Sequence, residues 1–301
     1  MKELFKSNGK LLITGEYVVL DGATALAVPT QYGQTLQIKQ TATKTLYWKS
    51  VDKNGLVWFK DTFSLNNFEP QNTQNKVSNT LANILRAARD LNNNFLLNTN
   101  GLEVETVLDF PRNWGLGTSS TLINNIAQWA KVDAFRLLNN SFGGSGYDVA
   151  AAQSNCPILY TLQSEKPEIK QVSLRWNFTE NLFFIHLNEK QDSKEGISHY
   201  RKNTVAKSAI SEISELSFAL LKTTSLIEFQ NIISEHEKLI STIINTPTIK
   251  SRLFNDYPHA IKSLGAWGGD FIMVTGAEND LEYFKNRGYN TIIPFNEMLK
   301  F

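Results

Sequence analysis

The stretch SFGGSGYDVAAAQ, residues 141–153, places a single carboxylate, Asp148, directly after a glycine-rich turn. Gly143, Gly144 and Gly146 allow backbone conformations in which a side chain would clash. The alanines that follow suit a helix packed closely against another element. An aspartate at such a junction can accept a proton from a nearby hydroxyl, or it can cap the helix. The local sequence leaves both interpretations open.

A second glycine-rich segment, PRNWGLGTSST at 111–121, puts hydroxyl side chains at the start of a predicted helix. Backbone N–H groups at a helix N-terminus carry partial positive charge and bind anions. Thr118, Ser119 and Ser120 can also act as N-caps. From this segment alone, helix capping and phosphate binding are equally supported.

A third segment, KSLGAWGGDF at 262–271, is compatible with a plain helix-to-strand connection in which Gly265 is the C-cap. Near the start of the chain, GKLLITGEY adds a lysine, Lys10, and a glutamate, Glu16. Three glycine loops combined with these charged residues favour a functional site over three unrelated turns.

Several common catalytic motifs are missing from the sequence. It contains no GxxxxGK[ST] phosphate loop, no GxGxxG after a predicted strand and no HExxH. GGSGY resembles a serine nucleophile elbow, but Tyr147 replaces the final glycine, which excludes a serine hydrolase. His236 lies on the apolar stripe of a predicted helix, so we expect a core histidine there.

The length, net charge and composition of the chain exclude further classes of protein. The 301 residues carry a formal net charge of +1, which gives no electrostatic support for nucleic-acid binding. No apolar run approaches the roughly 20 residues that span a bilayer. The lone cysteine, Cys156, and the absence of a signal-like start predict a cytoplasmic setting.

The elements that must position these loops are predicted by hydrophobic periodicity. The first third reads as strands, with KLLITGEYVVL as two short β-rich runs. Apolar stripes predict helices over 76–91 and 225–246. Strands and helices mixed without strict alternation indicate an α+β protein. The polar stretch EKPEIK suggests a domain boundary, giving domains 1–167 and 168–301.

Taken together, the motifs resemble those of the GHMP kinase superfamily, named for galactokinase, homoserine kinase, mevalonate kinase and phosphomevalonate kinase. PRNWGLGTSST is similar to the family's PxxxGLGSSA, and GAWGGD is similar to its GAGGGD. GSGYDVA resembles the segment that contains the catalytic aspartate in mevalonate-type kinases. The resemblance implies a ribosomal-protein-like N-terminal domain and a ferredoxin-like C-terminal domain, with the site in the cleft between them.

The resemblance also implies roles for individual residues. Asp148 would ease removal of the acceptor proton, and Lys10 would keep Asp148 ionised and attract the transferring phosphoryl group. The ATP phosphates would be bound by Gly115, Leu116, Gly117, Thr118, Ser119 and Ser120, with Ser119 also on Mg²⁺. The substrate side would include Glu16, Tyr17, Gly146, Lys194, Gly265, Gly268, Gly269 and Asp270. The candidate cations for an anionic acceptor are Lys10, Lys194, Arg201 and Lys262.

Two departures from the family pattern bear on activity. No acid lies between Asp133 and Asp148, where mevalonate kinases carry a Mg²⁺-binding glutamate. Trp114 and Trp267 also add bulk next to two of the loops.

The expected function is an ATP- and Mg²⁺-dependent kinase that phosphorylates mevalonate or phosphomevalonate, a small anionic substrate. Neither nucleic acid nor membrane is expected as a partner, and the protein would be a monomer or homodimer. The alternatives are a lyase resembling diphosphomevalonate decarboxylase and a non-catalytic nucleotide-binding relative.

Overall fold

The computed structural model describes residues 2–72, 75–97, 99–163, 166–191 and 193–301. Its strands are β1 (Lys2–Leu12), β2 (Ala25–Gln40), β3 (Thr45–Val51), β4 (Val57–Ser64), β5 (Leu102–Leu108), β6 (Ile158–Thr161), β7 (Glu168–Gln171), β8 (Leu182–His186), β9 (Ile261–Ser263), β10 (Phe271–Thr275) and β11 (Ile292–Pro294). Its α-helices are α1 (Lys76–Leu91), α2 (Thr118–Ala130), α3 (Ala134–Ser141), α4 (Tyr147–Gln153), α5 (Ser193–Tyr200), α6 (Lys207–Lys222), α7 (Leu226–Ile244), α8 (Ile249–Leu253), α9 (Glu282–Lys285) and α10 (Phe295–Met298). This mixture confirms the predicted α+β class.

The chain divides into two compact units, and the division does not follow a single cut in the sequence. The first unit comprises Met1–Gly9, Tyr32–Arg112 and Leu116–Gln153, and the second comprises Lys10–Gln31, Asn113–Gly115 and Ser154–Phe301. Strands β1 and β2 therefore each begin in one unit and end in the other. The boundary expected between residues 167 and 168 stays a prediction.

The first unit is a sheet with helices packed on one face. Strands β4, β3, β5 and the C-terminal part of β2 are neighbours in that order, with β3 and β5 parallel and the other pairs antiparallel. Residues of β5 alternate between buried and half-buried, as expected for a sheet with one covered face. Helices α1, α2 and α3 contribute to the same core, which includes Leu36, Leu46, Trp48, Leu81, Leu85, Val104, Ile123 and Leu137.

The second unit contains an antiparallel sheet in the strand order β11-β8-β10-β9. Ile185 of β8 lies opposite both Ile272 and Ile292. The N-terminal part of β2 pairs with β6, and β6 pairs with β7. One core cluster lies under the sheet and helix α8, and a second joins α6 and α7 to residues near the start of the chain, including Val18, Ala23, Ile213 and Ile240.

The strongest periodic patterns predict their elements well. Helices α1 and α7 occupy the segments where apolar stripes predict them, and Phe229, Ile233, His236 and Ile240 are fully buried along α7. The prediction of a second short strand within KLLITGEYVVL is wrong, because Val18–Asp21 is a short 3-10 helix. Gly15 and Tyr17 adopt positive φ values of 86° and 62°, which turn the chain before a strand can continue. Among the described helices, none is both long enough and apolar enough to span a membrane.

Candidate active site

The glycine loop at 113–117 leads into helix α2 without a side-chain cap. Gly115 and Gly117 have positive φ values of 66° and 93°, a region that glycine enters without strain. Gly117 is the N-cap residue, and no side chain of the described residues caps this helix. The Ser120 hydroxyl donates instead to the Gly117 carbonyl at 2.9 Å. The capping alternative is therefore wrong for α2, and its first-turn N–H groups suit an anion.

The side chains around this helix start differ in exposure. Ser120 is buried, Thr118 is half-buried, and Ser119 is exposed. Thr121, one residue further on, is buried and donates to Gln34 Oε1 at 2.9 Å, which ties α2 to strand β2. An exposed hydroxyl at a helix N-terminus can also reach a metal ion held by an anion bound there, so the position of Ser119 is compatible with the expected role.

Asp148 occupies the first turn of α4, after a run of left-handed glycines. Gly143, Gly144 and Gly146 have φ values of 76°, 119° and 88°. The helix starts at Tyr147, so Asp148 is its second residue and not its N-cap. Its Oδ1 accepts the N–H of the adjacent Val149 at 3.0 Å, and its side chain is half-buried. The negative charge is favoured by the helix dipole. A catalytic role for Asp148 stays a prediction.

Lys10 is joined to the glycine loop directly. It lies in β1 with an exposed fraction of 9%, and its Nζ donates to the Gly115 carbonyl at 2.9 Å. The Asp270 carboxylate also lies against Gly115, where a Cβ on residue 115 would collide with it. These contacts bring a lysine, an aspartate and a glycine turn together from three distant segments of the second unit.

The third glycine loop carries two strained residues in addition to its glycines. Gly265 and Gly268 have positive φ values of 62° and 103°, and so do Trp267 at 51° and Asp270 at 52°. Non-glycine residues in this region are held there by their surroundings and concentrate at functional sites. Gly269 packs so closely on Gln191 that a Cβ would clash.

The two tryptophans expected to crowd the loops pack into the second unit. Trp267 is 7% exposed and belongs to the core cluster with Val18 and Ile240. The half-buried Trp114 ring meets Phe271 edge-to-face, with 5.3 Å between the ring centroids. Their bulk is thus largely taken up by packing.

Glu16 is placed in a fully buried charged cluster. Its Oε1 is ion-paired with Lys262, which also contacts Glu237 Oε1 at 3.0 Å and the Ser263 carbonyl at 2.6 Å. Both Glu16 and Lys262 have no exposed side-chain surface. Burial raises the pKa of Glu16 to about 7, against the opposing effect of Lys262. Lys262 was a candidate cation for an anionic acceptor, but it is buried and paired with two carboxylates, so that expectation is wrong; substrate binding by Glu16 stays a prediction.

His236 borders this cluster as a neutral acceptor. The Gly15 N–H donates to His236 Nε2 at 3.0 Å, which assigns the ring proton to Nδ1. Burial, together with the positive charge of Lys262, lowers the pKa of His236 well below its ordinary value. The approach of Glu16 Oε2 to the same nitrogen, at 3.5 Å, is accordingly not an ion pair. His236 is a core residue, as its position on an apolar stripe predicts.

Tyr17 and helix α5 form the remaining part of the expected substrate side. The Tyr17 hydroxyl donates to the Ala266 carbonyl of the third loop at 2.7 Å, and its ring stacks on Tyr200 with 5.6 Å between centroids. Burial and the nearby carboxylates raise the pKa of Tyr17 to about 12, so its hydroxyl remains protonated. Gly196 lets the hydroxyl approach, because a Cβ there would collide with it.

The two remaining candidate cations differ in their surroundings. Lys194 is exposed in the first turn of α5. Arg201 is half-exposed, and its Nη1 pairs with Asp21 Oδ1 at 2.7 Å. The charge of Arg201 is thus already partly balanced by Asp21.

Sequence reasoning missed two residues that shape these contacts. Glu237 is the second carboxylate on Lys262, and Ser263 donates to its Oε2 at 2.8 Å. His186 Nε2 lies 3.2 Å from the Asn113 carbonyl, at the start of the glycine loop. Glu237 and His186 belong to none of the motifs. The only sequence feature that draws attention to Glu237 is its position next to His236, in a helix whose buried stripe is otherwise apolar.

Comparisons with known proteins bear on the fold. No protein-family model and no curated protein matches this sequence. Among solved structures, the Methanococcus jannaschii mevalonate kinase superposes with a TM-score of 0.72 at 16% identity, covering 97% of this chain and 96% of that one. The Streptococcus pneumoniae phosphomevalonate kinase, in complex with phosphomevalonate and AMPPNP, gives 0.71 at 17% identity, with 95% of each chain covered.

A third similar structure is the Lactococcus lactis galactokinase complexed with galactose, with a TM-score of 0.67 at 12% identity, covering 99% of this chain and 93% of that one. All three neighbours are GHMP kinases. The chain has the GHMP kinase fold. The fold that the glycine motifs imply is therefore confirmed over almost the whole chain, while the identities leave the substrate to be argued from the site.

Proposed function

We propose that this protein is an ATP-dependent kinase that transfers the γ-phosphoryl group to mevalonate or phosphomevalonate. The observation that carries the proposal is the start of α2, which no described side chain caps. It directly follows a glycine turn, and Lys10 donates a hydrogen bond to the Gly115 carbonyl of that turn. Uncapped N–H groups attract phosphate, and a lysine anchored to the same loop adds a positive charge.

In the proposed reaction, the acceptor oxygen attacks the γ-phosphorus, the bond to the β–γ bridging oxygen breaks, and ADP leaves. Gly115, Leu116, Gly117 and the first turn of α2, with Thr118, Ser119 and Ser120, bind the ATP phosphates. Lys10 stabilises the charge on the transferring group. Asp148 accepts the proton when the acceptor is a hydroxyl. An acceptor phosphate is already ionised near neutral pH and depends less on this base.

The chain also offers oxygen ligands that fit a magnesium ion. The Ser119 side chain is exposed at the helix start, and Asp270 Oδ1 is buried without a hydrogen-bond partner among the described residues. In the described part of the chain, no three His, Cys, Asp or Glu residues are grouped to hold a metal by themselves. Magnesium commonly keeps waters and uses substrate phosphates, so one or two protein oxygens are enough. When bound, the ion would neutralise phosphate charge.

We propose that the acceptor is anionic, with a preference for phosphomevalonate over mevalonate. The resemblance to the GHMP kinases supports this preference, because it places Tyr17 where mevalonate kinases usually have histidine and because the GGD end of the third loop resembles the phosphomevalonate kinase pattern. The exposed Lys194 supplies a cation for such an acceptor. Glu16, Tyr17, Gly146, Gly265, Gly268 and Gly269 complete the proposed acceptor side.

The test is an acceptor panel with coupled measurement of ADP and carbon dioxide. Mevalonate, phosphomevalonate, diphosphomevalonate and galactose are each incubated with the protein, ATP and Mg²⁺. A kinase releases ADP alone with one of the two expected acids. Release of ADP together with carbon dioxide from diphosphomevalonate identifies a lyase. ATP binding without turnover identifies a nucleotide-binding relative, and turnover of galactose alone contradicts the anionic acceptor.

A further inference from the structure

Two carboxylate oxygens in the second unit are buried without a hydrogen-bond partner among the described residues, and only one of them has a cation bound to the other oxygen of its carboxylate. Among the described residues, Glu16 Oε2 and Asp270 Oδ1 are the carboxylate oxygens that are inaccessible and have no hydrogen-bond partner. Glu16 is compensated by the adjacent Lys262 ammonium, to which its other oxygen is bound. Asp270 has no ion pair in the described structure. A buried charged oxygen without a donor is costly, so its presence calls for a ligand.

The surroundings of Asp270 indicate what kind of ligand this is. Its carboxylate lies against Gly115, in space that a Cβ at position 115 would fill. The backbone N–H of Gln191 donates to the carboxylate, and Lys10 is its strongest positive neighbour. Lys10 itself donates to the Gly115 carbonyl at 2.9 Å. Asp270 therefore faces the turn that, under the proposed function, carries the ATP phosphates.

The backbone of Asp270 is held at a positive φ, which is uncommon among residues other than glycine. Its φ is 52°, its N–H donates to the Glu189 carbonyl at 2.7 Å, and its own carbonyl accepts from Leu187 at 2.8 Å. These two bonds fix the residue at the start of β10. A residue with a positive φ, a fixed backbone and one carboxylate oxygen without a hydrogen-bond partner is typical of a pre-organised binding position.

We infer that Asp270 supplies the acidic magnesium ligand of this protein, through Oδ1, in place of the glutamate that the 134–147 segment lacks. The inference rests on the proposed function. Magnesium prefers hard oxygen ligands and is commonly held by one or two carboxylates together with phosphate oxygens and water. Asp270 Oδ1 meets that requirement, because it accepts no hydrogen bond from the described residues and lies beside the turn proposed to bind phosphate.

The experiment compares ADP binding by calorimetry with millimolar Mg²⁺ and with EDTA. In the wild-type protein, Mg²⁺ should strengthen ADP binding. Asp270→Asn should reduce this gain by about tenfold or more, as expected when a metal site is damaged. It should leave metal-free ADP binding within about threefold, or tighten it by removing a negative charge. Glu212→Gln, which removes an exposed acid of α6, is the matched control and should retain the full gain.

Each alternative result has a distinct meaning. If Asp270→Asn keeps the magnesium gain, the inference is wrong. If the variant raises only the acceptor KM, Asp270 contacts the acceptor and the metal role is excluded. If the wild-type protein binds ADP equally with and without Mg²⁺, the inference fails while nucleotide binding stands. If it binds no nucleotide in either buffer, the proposed function fails as well.

A second measurement does not depend on the variant folding. Fe²⁺ replaces Mg²⁺ in the wild-type protein with ADP present, and peroxide with ascorbate then cleaves the backbone near the bound iron. ADP-dependent cleavage beside residue 270 supports the inference. Cleavage confined to segments remote from residue 270 in sequence overturns it.

Discussion

Lys262→Met tests the buried charged cluster, and through it the role of Glu16. Lys262 lies in β9 with no exposed side-chain surface, and it is bound to Glu16, to Glu237 at 3.0 Å and to the Ser263 carbonyl at 2.6 Å. Methionine nearly matches the lysine in length but carries no charge. The substitution therefore leaves two carboxylates, with exposed fractions of 0% and 4%, without their shared cation.

The expected loss of stability is about 3–5 kcal/mol, the usual cost of removing one partner from a buried ion pair. The loss should depend on pH. Burial already raises the pKa of Glu16 to about 7 with Lys262 present, and removal of that cation raises it further. A carboxyl with a raised folded-state pKa is stabilising when protonated, and this contribution is lost as pH rises through the folded-state pKa. The variant should therefore be more strongly destabilised at about pH 8 than at about pH 6.

The assay is urea denaturation followed by circular dichroism at both pH values. Lys285→Met is the matched control, because Lys285 forms an exposed pair with Glu282 and should cost less than about 1 kcal/mol. The triple variant Glu16→Gln, Glu237→Gln, Lys262→Met should recover much of the lost stability. A loss below about 1 kcal/mol for Lys262→Met, or a loss independent of pH, would refute the reasoning.

Four further predictions concern catalysis, metal use and pH. Asp148→Asn should lower kcat on a hydroxyl acceptor by about 10²–10⁴-fold with little change in ATP affinity, and steady-state turnover within a few-fold of wild type would leave Asp148 without a catalytic role. Ser119→Ala should raise the Mg²⁺ concentration for half-maximal activity by about five- to tenfold, as for a lost interaction of roughly 1–1.5 kcal/mol, and an unchanged Mg²⁺ titration contradicts the assignment. Lys194→Ala should raise the acceptor KM by about ten- to a hundredfold at unchanged ATP KM, so that equal KM values in a steady-state comparison argue against an acceptor contact. Because the pKa of His236 is lowered in the folded protein, its imidazole is protonated in the unfolded chain at pH values where it stays neutral in the folded chain. The folded protein therefore loses stability as pH falls below 6.5, the ordinary pKa of histidine. His236→Gln, whose side-chain oxygen can still accept from Gly15, should remove about 1 kcal/mol of this loss at about pH 5.5, and thermal melts with the same pH dependence as wild type would count against it.

Local patterns were sufficient for several elements of the protein. Apolar stripes of period 3.6 predict α1 and α7, because residues three or four positions apart lie on the same face of a helix. The glycines of the 111–121 segment predict a turn entering a helix, and the structure has α2 there. The motif set also indicated the GHMP kinase fold, which the structural comparisons confirm.

The arrangement of charges was decided only by the tertiary structure. Glu16 and Lys262 are 246 positions apart in sequence, and Lys10 is 105 positions from Gly115. No local pattern distinguishes a lysine that is buried between two carboxylates from one that faces solvent, as Lys262 and Lys194 illustrate. Likewise, the local sequence does not show that the Trp267 ring packs into the core of the second unit and leaves the third loop uncrowded. Burial and pairing depend on which distant segments the fold brings together, and those contacts set the charge state and accessibility of each candidate residue.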